Sequence, residues 1–163
     1  MALLEWSDAL ALDLPLMDDT HHEFVELLAT VEAAPDTTLL AAWQALIDHT
    51  DGHFGQEDDW MQATRFASSN CHSLPHKGVL GVMREGAALG AGGDLLAVRQ
   101  MARELAAWLP QHAQSMDAAL ALHLRRVGFD PVSGTVHAPG ALPAELIHGC
   151  GGHSCHEAEP ATA

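Results

Sequence analysis

Four stretches of this chain carry apolar residues at three- and four-residue intervals, and each is followed by an element that stops a helix. Phe24, Val25, Leu27, Leu28 and Val31 form the first stripe, over about 18–34, with Asp18, Asp19 or Thr20 as its cap and Pro35 as its stop. Leu40, Trp43, Leu46 and Ile47 belong to a second, over about 39–64, for which Asp36, Thr37 and Thr38 offer caps. After the polar loop ASSN at 67–70 comes a third, over about 72–88, carrying Val79, Val82 and Met83. Its start must lie close to His72, because Pro75 is tolerated only in a first turn. The run GAGGD at 90–94 breaks the chain and supplies Asp94 as the cap of a fourth helix, over 95–126, through Leu105, Trp108, Leu109, Leu120 and Leu124. Gly128 ends it. No convincing strand alternation accompanies these stripes. Together they predict an all-α fold, an up-down-up-down four-helix bundle, which builds metal sites in its interior. Residues 1–17 are expected to be an N-terminal arm. The bundle domain is expected over 1–128, and an irregular His- and Cys-containing tail over 129–163.

Charge narrows the function. The chain has 163 residues and a formal net charge of -15, from 7 Lys+Arg against 22 Asp+Glu, so nucleic acid and anionic membrane surfaces would repel it. No apolar run approaches the roughly 18 residues of a membrane span, so no membrane insertion is expected. The apolar opening lacks the preceding basic residues of a signal peptide, and three cysteines are too few and too unevenly placed for a disulfide framework. A cytoplasmic, monomeric protein is the expectation.

Histidine is the outlier, 12 residues against 7 Lys+Arg. His53 and Glu57 are four apart, about 40° around a helix axis, so both can point into one interior. The third helix repeats the device with His72 and His76, the first contributes His21, and the fourth contributes His112 and Asp117. That last pair is five apart, about 140° on an ideal helix. Pro110, with no N–H for the Ala106 carbonyl, is expected to loosen the helix just before His112, and a locally widened turn would bring both to one face. Gly52 and Gly55 weaken the second helix by about 1 kcal/mol each relative to Ala, so either something compensates or a neighbour needs close approach there. His49 is expected outside the ligand set. Asp58 and Asp59 are expected to face solvent, with at most one of them orienting a ligand.

Five histidines and two carboxylates are too many for one tetrahedral zinc and suit two six-coordinate irons. If both carboxylates and a solvent bridge join the metals, the histidines divide three and two, and one metal keeps an open position. That asymmetry suits reversible binding of a diatomic ligand.

At this point the sequence resembles the bacteriohemerythrins, over about residues 6–125. MDDTHHEF, HFGQEDDWM, CHSLPHKG and WLPQHAQSMD fill the family's metal-binding segments in order. The resemblance implies a di-iron cofactor, with His72, His76 and His112 on one iron and His21 and His53 on the other. Glu57, Asp117 and a hydroxide or oxide would bridge them. It also implies dioxygen as the ligand, a pocket walled by Phe24, Phe54, Trp108 and Leu109, and an oxygen-consuming enzyme as a recipient. Oxygen storage, transport or sensing follows, rather than enzymatic activity. The alternatives are a di-iron enzyme acting on peroxide or nitric oxide, and a sensor signalling through its tail. In that tail Cys150, His153, Cys155 and His156 form a possible metal or redox cluster.

Overall fold

A computed structural model describes residues 2–66 and 72–147. Its helices are α1 (Pro15–Ala33), α2 (Asp36–Ala63), α3 (Ser73–Ala91), α4 (Leu95–His112) and α5 (Ala118–Arg126), with a π turn, Ala113–Asp117, joining the last two into one rod. Sequence-adjacent helices pack together, and α1 closes the ring against α4. The expected four-helix bundle is therefore the fold, its fourth helix interrupted by the π turn.

α1 begins earlier than its polar residues suggest. Pro15 occupies the first helical position, where a missing N–H costs nothing. Asp18 then accepts hydrogen bonds from the Leu12 and Leu14 amides at 2.7 and 3.2 Å, tying down the arm from inside the helix rather than capping it from outside. α2 likewise starts at Asp36, directly after Pro35.

The corners are chemically different. α2 ends through Arg65, whose φ of 60° is left-handed, and the Phe66 amide reaches back to the Met61 carbonyl at 2.8 Å. At the end of α3, Gly93 takes the same role with φ 103°, and Asp94 N donates to Leu89 O at 3.0 Å. Asp94 then caps α4 as expected, accepting from Ala97 N at 3.1 Å.

Two apolar cores fill the bundle. One gathers Phe24, Leu28, Leu39, Trp43, Met83 and Leu109 toward the α1–α2 and α3–α4 corners. The other gathers Met17, Trp60, Met61, Phe66, Leu120 and Leu124 at the opposite end. On α1, His21 lies between Met17 and Phe24. On α2, His53 and Glu57 lie between Ile47 and Trp60. A polar layer thus separates the cores.

Gly52 and Gly55 do not mediate close packing. Both are exposed, and a Cβ on either would meet nothing within 4 Å. The close approaches fall at buried Gly86, against Met101, and Gly90, against Leu40 and Val98.

Residues 129–147 are mostly irregular, with a hairpin too short to show alternation: β1 (Phe129–Asp130) pairs antiparallel with β2 (Thr135–Val136). Phe129 packs edge-on against Trp60, and the Ile147 amide donates to the Arg65 carbonyl at 3.0 Å, so residues 129–147 close the lower core. Cys150, His153, Cys155 and His156 lie outside the described residues. Among the described residues no helix is long and apolar enough to cross a membrane.

Candidate metal centre

The polar layer contains His21 from α1, His53 and Glu57 from α2, His76 from α3, His72 immediately before α3, and His112 and Asp117 flanking the π turn. None is more than 5% exposed. Their potential ligand atoms form two groups that share Glu57. Those of Glu57, His72, His76, His112 and Asp117 lie within 4.8 Å of one another, as do those of His21, His53 and Glu57.

Each carboxylate divides its oxygens between the groups. Glu57 Oε1 lies 2.8 Å from His53 Nε2, while Oε2 lies 3.2 and 3.5 Å from the Nε2 atoms of His72 and His76. Asp117 Oδ2 lies 3.1 Å from His21 Nε2, while Oδ1 lies 3.0 and 3.1 Å from those of His72 and His112. Each carboxylate therefore faces one of His21 and His53 with one oxygen and the three-histidine group with the other.

The donor set fits metal better than protons alone. His76 Nε2 and His112 Nε2 face each other at 2.9 Å, so with neutral rings at least one of them presents a lone pair, and each also faces a carboxylate oxygen, Glu57 Oε2 at 3.5 Å and Asp117 Oδ1 at 3.1 Å. His21 Nε2 and both Asp117 oxygens are buried without a well-aligned hydrogen bond. Buried polar atoms that converge yet remain unsatisfied are costly, and imidazole with carboxylate is a suitable donor set for a divalent transition metal.

Local backbone geometry makes the set possible. The π turn after His112 carries Asp117 round to the same face, closing the five-residue step. Pro110 lies inside α4, and the Ala113 amide is shared between the Leu109 and Pro110 carbonyls. The widened turn expected from the five-residue spacing is present, but it follows His112; at Pro110, where the loosening was expected, the chain is still regular α-helix.

Electrostatics follows the pairing. Burial would raise the Glu57 pKa, and Asp117 adds to that, but His53 and His72 bring it down to about 2. Burial opposes Asp117 too, yet His112, His21 and His72 hold it well below the usual carboxylate range. His72 is lowered by burial but lifted to about 9 by Asp117 and Glu57. His21 is raised, Asp117 outweighing its burial. Burial prevails at His76, which is lowered despite Asp58 and Glu57. A proton on His72 thereby offsets part of the charge of Glu57 and Asp117, and an entering metal ion would displace it.

Aromatic rings border the site. Phe54 stacks on His76 with centroids 3.9 Å apart, Trp108 stacks on His112 at 4.3 Å, and the two meet edge to face at 5.9 Å. Phe24 and Leu109 are fully buried in the adjoining apolar core. His49 is outside the cluster: its Nε2 hydrogen bonds to the Thr20 carbonyl at 3.0 Å, tying α2 to α1 beside His21. Asp59 is exposed, whereas Asp58 places Oδ1 3.8 Å from His76 Nδ1. The sequence signal for Asp58 was its position next to Glu57, about 100° further round α2.

Comparison with known proteins agrees with this arrangement. Residues 12–123 match the family model described as Hemerythrin HHE cation binding domain. A bacteriohemerythrin of Ralstonia nicotianae is 35% identical over 130 residues, covering 80% of this chain and 95% of that protein. A bacteriohemerythrin of Stenotrophomonas maltophilia is 25% identical, over 82% of this chain and 92% of its own length. A myohemerythrin of Sipunculus nudus is 28% identical over 48% of this chain and 64% of its own. No solved structure matches. With the family model spanning all four bundle helices and the buried histidine and carboxylate cluster at their centre, the chain belongs to the hemerythrin family.

Proposed function

We propose that this protein binds dioxygen reversibly at a non-heme di-iron centre, for oxygen storage, transport or sensing. The supporting observation is the division of Glu57 and Asp117, each presenting one oxygen toward His21 or His53 and the other toward the three-histidine group. In this reading His72, His76 and His112 would hold one iron, His21 and His53 would hold the other, and Glu57 and Asp117 would offer an oxygen to each. The bound iron pair supplies the electrons that dioxygen binding requires.

The chain does the rest by position and exclusion. Five imidazoles and two carboxylates fix nine donor atoms, five nitrogens and four oxygens, in a buried layer. The uneven histidine count leaves the His21 and His53 side with fewer protein donors, and so with room for a small ligand. Phe24, Phe54, Trp108 and Leu109 carry no acid or base, which favours return of the ligand intact over turnover by proton delivery. Anaerobic loading with ferrous iron, followed by alternating air and argon, tests the reading. Two irons per chain and a visible absorption change that reverses through repeated cycles support it. An irreversible change, or consumption of oxygen with turnover, favours an enzyme instead.

A further inference from the structure

The remote nitrogen of His76 has a neighbour that sets this histidine apart. His76 is 1% exposed, and Phe54 lies nearly parallel to its ring at 2°, fixing the ring plane. Its Nδ1 is buried and has no hydrogen-bond partner, and the same is true of Asp58 Oδ1. The two atoms are 3.8 Å apart, at one wall of a cavity of about 270 Å³ between α2 and α3. Arg84, which also lines that cavity, is engaged by Asp51 at 3.0 Å. Among the described residues, the buried Nδ1 atoms of His21 and His53 have no carboxylate within 4 Å.

We infer that Asp58 is a positioning residue for His76, accepting a hydrogen bond from its Nδ1–H when Nε2 holds a metal ion. The chemistry is directional. A metal on Nε2 commits the ring proton to Nδ1, which then needs an acceptor, and Asp58 Oδ1 needs a donor. A movement of less than 1 Å brings 3.8 Å to hydrogen-bond length. The carboxylate then fixes the ring and makes the imidazole a stronger donor, so the three-histidine position favours the higher oxidation state. This rests on the reading of the cluster as a metal centre. It adds an asymmetry in ligand strength to the asymmetry in ligand number.

Cobalt(II) loading of the full chain tests it, with Asp58→Asn, Asp58→Glu and Asp59→Asn compared to wild type. Asp58→Asn keeps the shape but replaces the charged acceptor. We expect about 10- to 100-fold weaker cobalt binding, faster solvent exchange of the paramagnetically shifted His76 Nδ1–H resonance, and a higher midpoint potential in the iron-loaded form. Asp58→Glu restores part of the affinity, and Asp59→Asn, on the exposed side, stays within about twofold of wild type. Equal effects of the Asp58 and Asp59 substitutions would reduce Asp58 to a general negative charge and overturn the inference. So would unchanged affinity and exchange in Asp58→Asn. A wild-type chain that takes up no cobalt overturns the metal reading itself, and this inference with it.

Discussion

His112 and Asp117 are five residues apart in the chain and 3.1 Å apart in space, Nε2 to Oδ1, because a π turn joins them. On a regular helix they would diverge by about 140°. The turn brings Asp117 between His21 and His72, where it is fully buried and faces three imidazoles.

Asp117→Asn removes that charge without changing shape. Breaking a buried pair leaves its partners uncompensated, so the metal-free protein should lose about 3 kcal/mol of stability, seen in urea denaturation. Iron content should fall well below that of wild type, while far-UV circular dichroism retains the bundle.

The metal-free protein should be most stable in a mildly acidic window. His72 is raised to about 9, so its contribution is complete below its ordinary 6.5 and is lost as pH rises through 9. Glu57 is depressed to about 2, so its contribution is complete above its ordinary 4.5 and is lost as pH falls toward 2. His76 is held below its ordinary 6.5 by burial, so its contribution is lost as pH falls below that value, and melting temperature should be highest near pH 6.5 and decline on either side. Metal uptake at pH 7 should release protons, detectable by calorimetry in buffers of different ionisation enthalpy.

Glycines in the bundle should respond in opposite ways. Gly52→Ala and Gly55→Ala place a methyl where nothing lies within 4 Å, and each should stabilise by up to about 1 kcal/mol. Gly90→Ala drives a methyl into Leu40 and the stiff Val98, and should destabilise by about 1–3 kcal/mol. Thermal melts of the three variants check this, with metal content unchanged in the first two.

The helices and the clustering of their paired candidate ligands were legible because periodicity and four-residue spacing are local properties of a chain. His53 with Glu57 and His72 with His76 needed only helical geometry, and the irregular step to Asp117 showed as a five-residue spacing, although the widened turn follows His112 rather than lying at Pro110. Features that depend on how helices rotate against one another were not legible. The approach of Asp58 to His76 joins α2 to α3, and the tight contacts fall at Gly86 and Gly90 rather than at Gly52 and Gly55. The α2 corner was hidden for another reason: Arg65 adopts a left-handed conformation that sequence usually announces with glycine.

Leu109→Ala should open the apolar end of the site. Leu109 is 0% exposed, so the cavity should cost about 2–5 kcal/mol in stability. In the iron-loaded, air-exposed protein the variant should lose its oxygen-dependent absorption faster than wild type, because water gains access to a wall that was dry.

An anomalous-difference map at the iron edge, from crystals of the iron-loaded protein, locates the metals without assuming a function. Two peaks per chain are expected, about 3.5–4 Å apart, one among His72, His76 and His112 and one beside His21 and His53, both within bonding distance of Glu57 and Asp117. A single peak, or two peaks of which only one contacts Glu57 and Asp117, would contradict a carboxylate-bridged di-iron centre.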